Sequence, residues 1–290
     1  ALENGYEVTV VDDLSTSKEV QIPKEARLMK KKIERFATRE KFDAVVHLAA
    51  RPSPEDYIRK PTSTILSNSI GTYRMLEIAR KSNALFVYTS SSEVYGNASI
   101  IPTPEEYFGN VNPNGIRSCY DESKRFSEAL AMAYHRQFGL DVRIQRPFNV
   151  YGPRIRADGF YGRVIPRFIV QALGNKPITV HGDGKQTRSF LYISDWLEAT
   201  WKFMTINEPK YRIINIGSNN EIEIIKLAGL IKSLANSSSK IVNTERREED
   251  PQRRAADITK AKEMLGFEPK VGLEEGLMQT IDWFKQIMSR

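Results

Sequence analysis

Tyr120 and Lys124 are residues whose types and spacing suit acid–base chemistry. They stand four positions apart in the segment from Ser118 to Phe138, whose pattern predicts a helix, so both side chains lie on one face. An ammonium group beside a phenol favours the phenolate and lowers the pKa of the tyrosine, which then accepts a proton near neutral pH. The same spacing is common on solvated helix faces of a lysine-rich chain, so the pair alone does not establish a site.

A second polar group stands at the end of a predicted strand. The run LFVYTS from Leu85 to Ser90 is typical of a buried strand, and Ser91, Ser92 and Glu93 follow it. In an open parallel sheet, ligands bind at the carboxyl ends of the strands, which is where these hydroxyl and carboxyl groups stand. The alternative is a strand-to-turn transition in which the serines only cap the turn.

The elements that must position these groups alternate along the chain. Strand patterns begin at Tyr6, Ala44, Leu85 and Val142, and helical patterns run from Thr62 to Lys81 and from Ser118 to Phe138. This rhythm predicts an α/β fold with a doubly wound parallel sheet of Rossmann type. After residue 152 it loosens, with helices predicted over 164–173, 194–205, 224–235 and 273–288. We therefore predict a Rossmann-type domain over residues 1–152 and a smaller, mixed lobe over 153–290.

The composition is that of a globular protein. Of the 290 residues, 40% are hydrophobic and 27% charged, and no apolar run approaches the roughly 20 residues of a membrane helix. The single cysteine, Cys119, excludes an internal disulfide and fits a cytoplasmic protein. A net charge of +7 indicates anionic partners, but the basic residues are scattered apart from Lys30–Lys32 and a pair at 253–254. Charge alone does not distinguish a nucleic acid from a small phosphorylated ligand, but without a continuous basic stripe we expect neither a nucleic acid nor a membrane as the partner.

Several segments resemble a known enzyme family. SSSEVYG from Ser90, YDESK from Tyr120 to Lys124 and RPFNVYGPR from Arg146 are similar to the motifs of extended short-chain dehydrogenases/reductases, the NAD-dependent epimerases and dehydratases that act on nucleotide sugars. The resemblance covers nearly the whole chain. It implies a hydride-transfer triad in which Tyr120 is the base, Lys124 tunes it and holds the nicotinamide ribose, and Ser91 bonds the reacting hydroxyl.

The residues beside the triad resemble one subgroup, the UDP-glucuronate decarboxylases or UDP-xylose synthases. Sugar 4,6-dehydratases carry aspartate where Ser92 stands, and epimerases usually carry a small or hydroxyl residue where Glu93 stands. The Ser92–Glu93 pair is similar to the decarboxylases instead. So are SPEDY from Ser53, NSIGTYRML from Asn68, GNVNPNGIRSCYDESKR from Gly109, GDGKQTRSFLYISD from Gly182 and EDPQRRAADITKAKEMLGFEPKV from Glu249.

The resemblance also implies the binding residues. NAD is the expected cofactor, because Asp12 follows a strand and matches the acid that bonds the adenosine ribose. The other cofactor-binding residues are Leu48, Ala49, Ala50, Asn68, Ser90, Tyr120, Lys124 and Pro147. The substrate is a UDP-sugar or dTDP-sugar, bound mainly by the second lobe, and no metal is expected. Its binding residues are Tyr57, Asn149, Arg188 and Arg254, although packing in the core is the alternative for Tyr57.

Decarboxylation of UDP-glucuronate is the reaction that the resemblance implies. Oxidation of the C4 hydroxyl gives a β-keto acid, whose carboxylate leaves as carbon dioxide because the C4 carbonyl accepts the electron pair. Arg254 matches an arginine that stabilises the enolate, assists its protonation or only holds the diphosphate. It completes an expected catalytic set with Ser91, Ser92, Glu93, Tyr120 and Lys124. The alternatives within the family are a UDP-glucose 4-epimerase and a dTDP-glucose 4,6-dehydratase.

One segment expected of this family is missing from the sequence. The start, ALENGYEV, is typical of the end of a first helix followed by a second strand, without the earlier strand and glycine-rich turn that hold the cofactor diphosphate. We therefore expect a truncated form of a complete enzyme. The alternative is a non-catalytic nucleotide-sugar-binding protein that has lost its cofactor site.

A homodimer is the expected assembly. Family members that resemble this chain pair two helices from each subunit into a bundle, which here are the helices from Thr62 and from Ser118. The apolar residues expected in that contact are Met75, Leu76, Leu130 and Met132.

Overall fold

Parallel strands and connecting helices make up the first half of the chain. The computed structural model describes residues 1–17, 21–157, 159 and 162–289. The strands are β1 (Thr9–Asp12), β2 (Arg27–Lys30), β3 (Ala44–His47), β4 (Leu85–Thr89), β5 (Val142–Pro147), β6 (Val150–Tyr151), β7 (Ile178–His181), β8 (Thr187–Ser189), β9 (Leu191–Tyr192), β10 (Ile213–Ile216), β11 (Glu221–Glu223), β12 (Ile241–Thr244) and β13 (Arg253–Arg254). The helices are α1 (Pro54–Arg59), α2 (Pro61–Ser82), α3 (Ser118–Phe138), α4 (Val164–Leu173), α5 (Ile193–Thr205), α6 (Ile224–Leu234), α7 (Thr259–Leu265) and α8 (Leu273–Met288).

Four strands form the central sheet in the order β10-β5-β4-β3, and every pairing in it is parallel. β1 and β2 form a separate parallel pair. Because α2 connects β3 to β4 and α3 connects β4 to β5, the chain contains the strand–helix–strand units of a doubly wound fold. The predicted fold class is confirmed, and the predicted long helices agree with the observed ones to within one or two residues.

The helices α2 and α3 lie side by side against the central sheet. Leu76 and Ala131 are completely buried and belong to one apolar core with Phe86 of β4. Gly71 permits the close approach of α2 to the segment around Ile33, because a Cβ atom at position 71 would overlap the Ile33 side chain. Tight packing of this kind holds α3, and with it Tyr120 and Lys124, at a fixed height above the sheet.

The outer face of these two helices differs from the sequence prediction. The residues predicted to contact a second subunit pack against the core of their own subunit: Met75, Leu76, Leu130 and Met132. Large apolar residues that are exposed on these helices are Ile65, Leu66, Ile70 and Tyr73 on α2 and Phe126 and Phe138 on α3. Met75 and Leu76 are buried, so packing on their own sheet, the alternative for residues of this set, accounts for them. Leu130 and Met132 are only partly buried, and their part in a contact between subunits stays a prediction. Spacing along the sequence does not say which face of each helix meets the sheet.

The second half of the chain consists of short strands and five helices. β7 pairs with β12, β8 lies between β11 and β13, and β6 pairs with β9. α4, α6 and α8 pack around a separate apolar core that includes Phe168, Leu227 and Phe284. β10 returns to the central sheet beside β5, so the division of the chain at residue 152 stays a prediction.

In the part of the chain that the structure describes, no helix is both long and apolar enough to cross a membrane. Cys119 is buried and forms no disulfide. The cytoplasmic location stays a prediction.

Candidate active site

A cavity of about 430 Å³ opens where β4 and β5 end, and we call it the active-site cavity. The elements converge there because parallel strands direct their carboxyl ends, and the loops that follow them, to one edge of the sheet. Most of the predicted site residues line it: Leu48, Ala50, Tyr57, Ser90, Ser91, Ser92, Glu93, Tyr120, Lys124, Pro147, Asn149, Arg188 and Arg254. Asp12, Ala49 and Asn68 are not part of this lining.

Tyr120 and Lys124 lie in the first two turns of α3, and both are buried. Lys124 Nζ donates to the carbonyl oxygen of Thr89 at 2.7 Å and lies 5.8 Å from the centre of the Tyr120 ring. Burial lowers the pKa of Lys124 to about 7. Burial also raises the pKa of Tyr120, and the hydrogen bond with the Ser91 hydroxyl opposes this rise only in part. The predicted lowering of the Tyr120 pKa was therefore wrong for this site. Burial raises this pKa more than the ammonium group of Lys124, which is bonded to the backbone of β4, can lower it.

Tyr57 covers one face of the Tyr120 ring. The two rings are stacked, with centroids 4.8 Å apart and planes inclined by 21°. Tyr57 Oη donates to the carbonyl oxygen of Pro52, and the Arg117 guanidinium lies 5.7 Å from the Tyr57 ring centre. Tyr57 thus lines the cavity and packs in the core at once, and it restricts the orientation of the phenol.

Two arginines hold the carboxylate of Glu93. Its Oε1 accepts from Arg254 Nη1, and its Oε2 accepts from Arg117 Nη2 at 2.5 Å. Ser91 Oγ accepts from the backbone N–H of Glu93 and caps the short helical turn Ser92–Tyr95, which fixes where this carboxylate starts. Burial alone raises the pKa of Glu93, but the charges of the two arginines outweigh burial and hold the pKa far below its usual range. Glu93 is therefore ionised at neutral pH.

The opposite wall of the cavity carries further positive charge. β13 runs parallel to β8, and the register places Arg254 beside Arg188. Arg188 Nη2 donates to Asp250 Oδ1 at 2.6 Å, and burial lowers the pKa of Arg188. Arg254 Nη2 is buried and forms no hydrogen bond within the described residues. Asn149 Nδ2 donates to the carbonyl oxygen of Ser189, which leaves its second N–H and its Oδ1 atom for a ligand. This wall suits an anionic group.

The three predicted cofactor residues outside the cavity lining have local partners. Asp12 ends β1, and its Oδ1 accepts from the backbone N–H of Leu14 and from Ser17 Oγ. Asn68 lies on α2, is buried, and donates to Ser123 Oγ at 2.9 Å. Ala49 packs against the core beneath α2 and α3. Their assignment to a cofactor stays a prediction.

Residues 1–217 match the model of the NAD dependent epimerase/dehydratase family. The chain belongs to this family.

Relatives with known names cover much of the chain. UDP-glucuronic acid decarboxylase 5 of Arabidopsis thaliana is 48% identical over 235 residues, which are 81% of this chain and 68% of that protein. UDP-glucuronic acid decarboxylase 1 of Xenopus tropicalis is 40% identical over 298 residues, 98% of this chain and 67% of that protein.

Solved structures with nucleotide sugars have the same fold. UDP-glucose 4-epimerase of Thermotoga maritima with UDP-glucose is 30% identical, with a TM-score of 0.91 and coverage of 99% of this chain and 93% of that one. UDP-glucuronic acid 4-epimerase of Bacillus cereus, in complex with UDP-glucuronic acid and NAD, is 28% identical, with a TM-score of 0.87 and the same two coverages.

NAD is the cofactor of this family, and the described residues fit its nicotinamide end. Ser90 Oγ is buried at the end of β4 and has no hydrogen-bond partner among the described residues. Lys124 is close by, since it donates to the preceding residue of the same strand. Leu48, Ala50 and Pro147 supply apolar surface in the same cavity. An unpartnered hydroxyl, a buried ammonium and apolar walls suit a ribose joined to a flat aromatic ring.

Sequence reasoning missed several charged residues in and around the site, including Arg163 and Arg247, which line the active-site cavity. Arg117 bonds Glu93, Asp250 bonds Arg188, and Asp121 lies buried behind Tyr120. Arg117 and Asp121 are one helical turn apart at the start of α3, and that spacing is a signal visible in the sequence. Asp250 gives no such signal, because it lies 62 residues from its partner.

Proposed function

We propose that this member of the NAD-dependent epimerase/dehydratase family decarboxylates UDP-glucuronate through a 4-keto intermediate. The carboxylate of Glu93, held by two arginines beside the Tyr120 phenol, is the observation that carries the proposal. The relatives named UDP-glucuronic acid decarboxylase, at 40% and 48% identity, support it. The site residues and their roles below are part of the same proposal.

The first step is oxidation at C4, which removes the proton of the C4 hydroxyl and the hydrogen on C4 itself. Tyr120 accepts the hydroxyl proton as its phenolate, which burial disfavours and which the charged form of Lys124 has to stabilise. Ser91 bonds the hydroxyl oxygen, and Lys124 also holds the ribose. NAD, held by Lys124 and the apolar walls of the cavity, would supply the acceptor for the hydride of C4 and its later return. The stack with Tyr57 keeps the phenol in one plane, so the proton is taken and returned at the same oxygen.

The second step is loss of the carboxylate. The C4 carbonyl accepts the electron pair of the C5–C6 bond, and the negative charge that develops there is stabilised by nearby cations. Arg254 suits this role because its Nη2 atom is buried and makes no hydrogen bond in the described part of the chain. Arg188 and Asn149 bind the diphosphate or sugar. Ser92, at the position where dehydratases keep an acid, is too weak an acid to expel water at neutral pH.

The first test is release of carbon dioxide. The protein expressed from its whole coding sequence, supplied with NAD and UDP-glucuronate labelled at C6, is expected to release the label and form a UDP-pentose. With dTDP-glucose, no 4-keto-6-deoxy product is expected, because Ser92 cannot supply the acid that dehydration needs.

Other products separate the alternatives. Interconversion of UDP-glucose and UDP-galactose with UDP-glucuronate inert would indicate a 4-epimerase, and a dehydrated dTDP-sugar would indicate a dehydratase. Binding of UDP-glucuronate with no turnover in the presence of NAD would indicate a non-catalytic binding protein.

We further propose that the protein forms a homodimer through α2 and α3. The exposed Leu66, Ile70 and Tyr73 of α2 lie at helical spacing, and apolar stripes of this kind are commonly covered by a partner. Light scattering is expected to show a dimer for the wild type and a monomer for Ile70→Glu. Met278→Glu, which places the same charge at an exposed apolar position on α8, is the control and is expected to remain dimeric. A wild type that stays monomeric at micromolar concentration contradicts the proposal.

A further inference from the structure

The proposed decarboxylation consumes one proton in each turnover. The C5–C6 bond breaks, carbon dioxide leaves, and the electron pair resides on the C4 enolate until a C5–H bond forms. The proton that Tyr120 takes from the C4 hydroxyl is returned to the same oxygen when the ketone is reduced, so it does not reach C5. A further proton must therefore enter from solvent.

Glu93 is unsuited to carry this proton. Both of its carboxylate oxygens accept hydrogen bonds from guanidinium groups, Oε1 from Arg254 and Oε2 from Arg117. All three side chains are largely removed from solvent, with 16%, 8% and 15% of their surface exposed, so the ion pairs are poorly screened. Protonation of Glu93 would leave two buried guanidinium groups without a counter-charge, which is strongly unfavourable.

Asp121 has the opposite environment. It follows Tyr120 in the chain and is 4% exposed. Its Oδ1 atom is buried and forms no hydrogen bond within the described residues. Its Oδ2 atom forms an ion pair with Arg117 Nε at 3.7 Å, a distance too long for a hydrogen bond, and Arg117 is already bonded to Glu93. A buried carboxylate without hydrogen bonds is costly, so this group favours its neutral, protonated form.

The groups facing Asp121 add to this preference. Burial and the negative charge of Glu93 raise the pKa of Asp121, and Glu249 adds a smaller effect in the same direction. The charges of Arg117 and Arg254 oppose the shift without cancelling it. The other titratable groups close to it are Tyr57, Cys119 and Tyr120.

A second cavity, of about 620 Å³, shares Arg117 and Arg254 with the active-site cavity, and we call it the rear cavity. Asp121 lines it but does not line the active-site cavity. Arg117 and Arg254 line both. Asn112, Glu248 and Glu249 contribute polar groups at the solvent side of the rear cavity. It is polar and large enough for several water molecules.

We propose that Asp121 is the proton-relay residue of this enzyme, which passes a solvent proton from the rear cavity to C5 of the substrate. The proton leaves the Asp121 carboxyl group, travels through water between Arg117 and Arg254, and forms the C5–H bond as the enolate collapses to the ketone. The resulting Asp121 carboxylate is reprotonated from the rear cavity. This inference rests on the proposed decarboxylation, since neither epimerisation nor reversible oxidation at C4 consumes a proton.

Asp121→Asn tests the relay, because the amide has the shape of the carboxyl group but is far too weak an acid to donate a proton. The turnover number is expected to fall roughly 100-fold, within the range for loss of a general acid, while KM for UDP-glucuronate changes less than threefold. In the wild type, turnover should decline as pH rises through the raised pKa, because only protonated Asp121 donates. The part of this decline that is due to Asp121 should be absent from the Asn variant, in which only deprotonation of Lys124 lowers turnover at high pH. Reduced cofactor should accumulate in the Asn variant and be detected by its absorbance, because oxidation at C4 precedes the slowed protonation at C5.

Two further variants separate a relay from a structural role. Asp121→Glu, which restores an acid, is expected to recover at least a tenth of wild-type turnover together with the decline at high pH. Glu122→Gln removes the neighbouring carboxyl, which pairs with Arg125 at the surface, and should leave turnover unchanged. If the wild type releases no carbon dioxide, the proposed function fails. If it does release carbon dioxide, and Asp121→Asn keeps both its turnover and the decline at high pH, the relay is refuted.

Discussion

Tyr120→Phe is expected to lower turnover of UDP-glucuronate roughly 1,000-fold or more while nucleotide-sugar binding survives. The ring still stacks on Tyr57 at a centroid distance near 4.8 Å, so the shape of the site is retained. The hydroxyl that accepts the C4 proton is lost, and removal of a general base commonly costs roughly 100- to 10,000-fold in rate. Steady-state kinetics and calorimetric titration with UDP-glucuronate measure the two quantities separately.

Tyr134→Phe is the matched control for this variant. Tyr134 lies on the same helix, and its hydroxyl donates to Glu77 at 2.7 Å, away from the active-site cavity. Its turnover is expected to stay close to that of the wild type. A Tyr120→Phe enzyme that works at a comparable rate would remove Tyr120 from the role of base.

Arg254→Ala is expected to weaken substrate binding, nearly abolish release of carbon dioxide and destabilise the fold. Arg254 donates to Glu93 Oε1 and is 7% exposed, so its removal leaves a buried carboxylate with half of its partners. Breaking a buried ion pair from one side typically costs about 3–5 kcal/mol of unfolding free energy. Arg117 remains in contact with Glu93, which places the expected loss at the lower end of that range. Denaturant unfolding, titration with UDP-glucuronate and label release measure the three effects.

Arg253→Ala provides the comparison at the neighbouring position. Arg253 pairs with Glu221 at the surface, with 56% of its side chain exposed, and such pairs contribute about 0–1 kcal/mol. We expect nearly unchanged stability and turnover. Equal effects of the two alanine variants would mean that Arg254 acts through the strand rather than through the site.

The sequence by itself determined the features that arise from residues close together in the chain. The Tyr120–Lys124 spacing placed both side chains on α3, and the apolar run before Ser90 placed the three serines and Glu93 at the end of β4. Alternation of strand and helix patterns was sufficient for the fold class, because crossover connections in parallel sheets obey one handedness. The motifs also indicated the family correctly.

Tertiary structure decided the charges of the site and the partners of its residues. Glu93 meets Arg254 across 161 positions of sequence, and Arg254 lies beside Arg188 only because β13 pairs with β8. The same convergence buries Asp121 next to Glu93. Spacing along the chain contains no information on such distances or on burial, and burial dominates the pKa of Tyr120, which spacing alone had predicted to shift the other way.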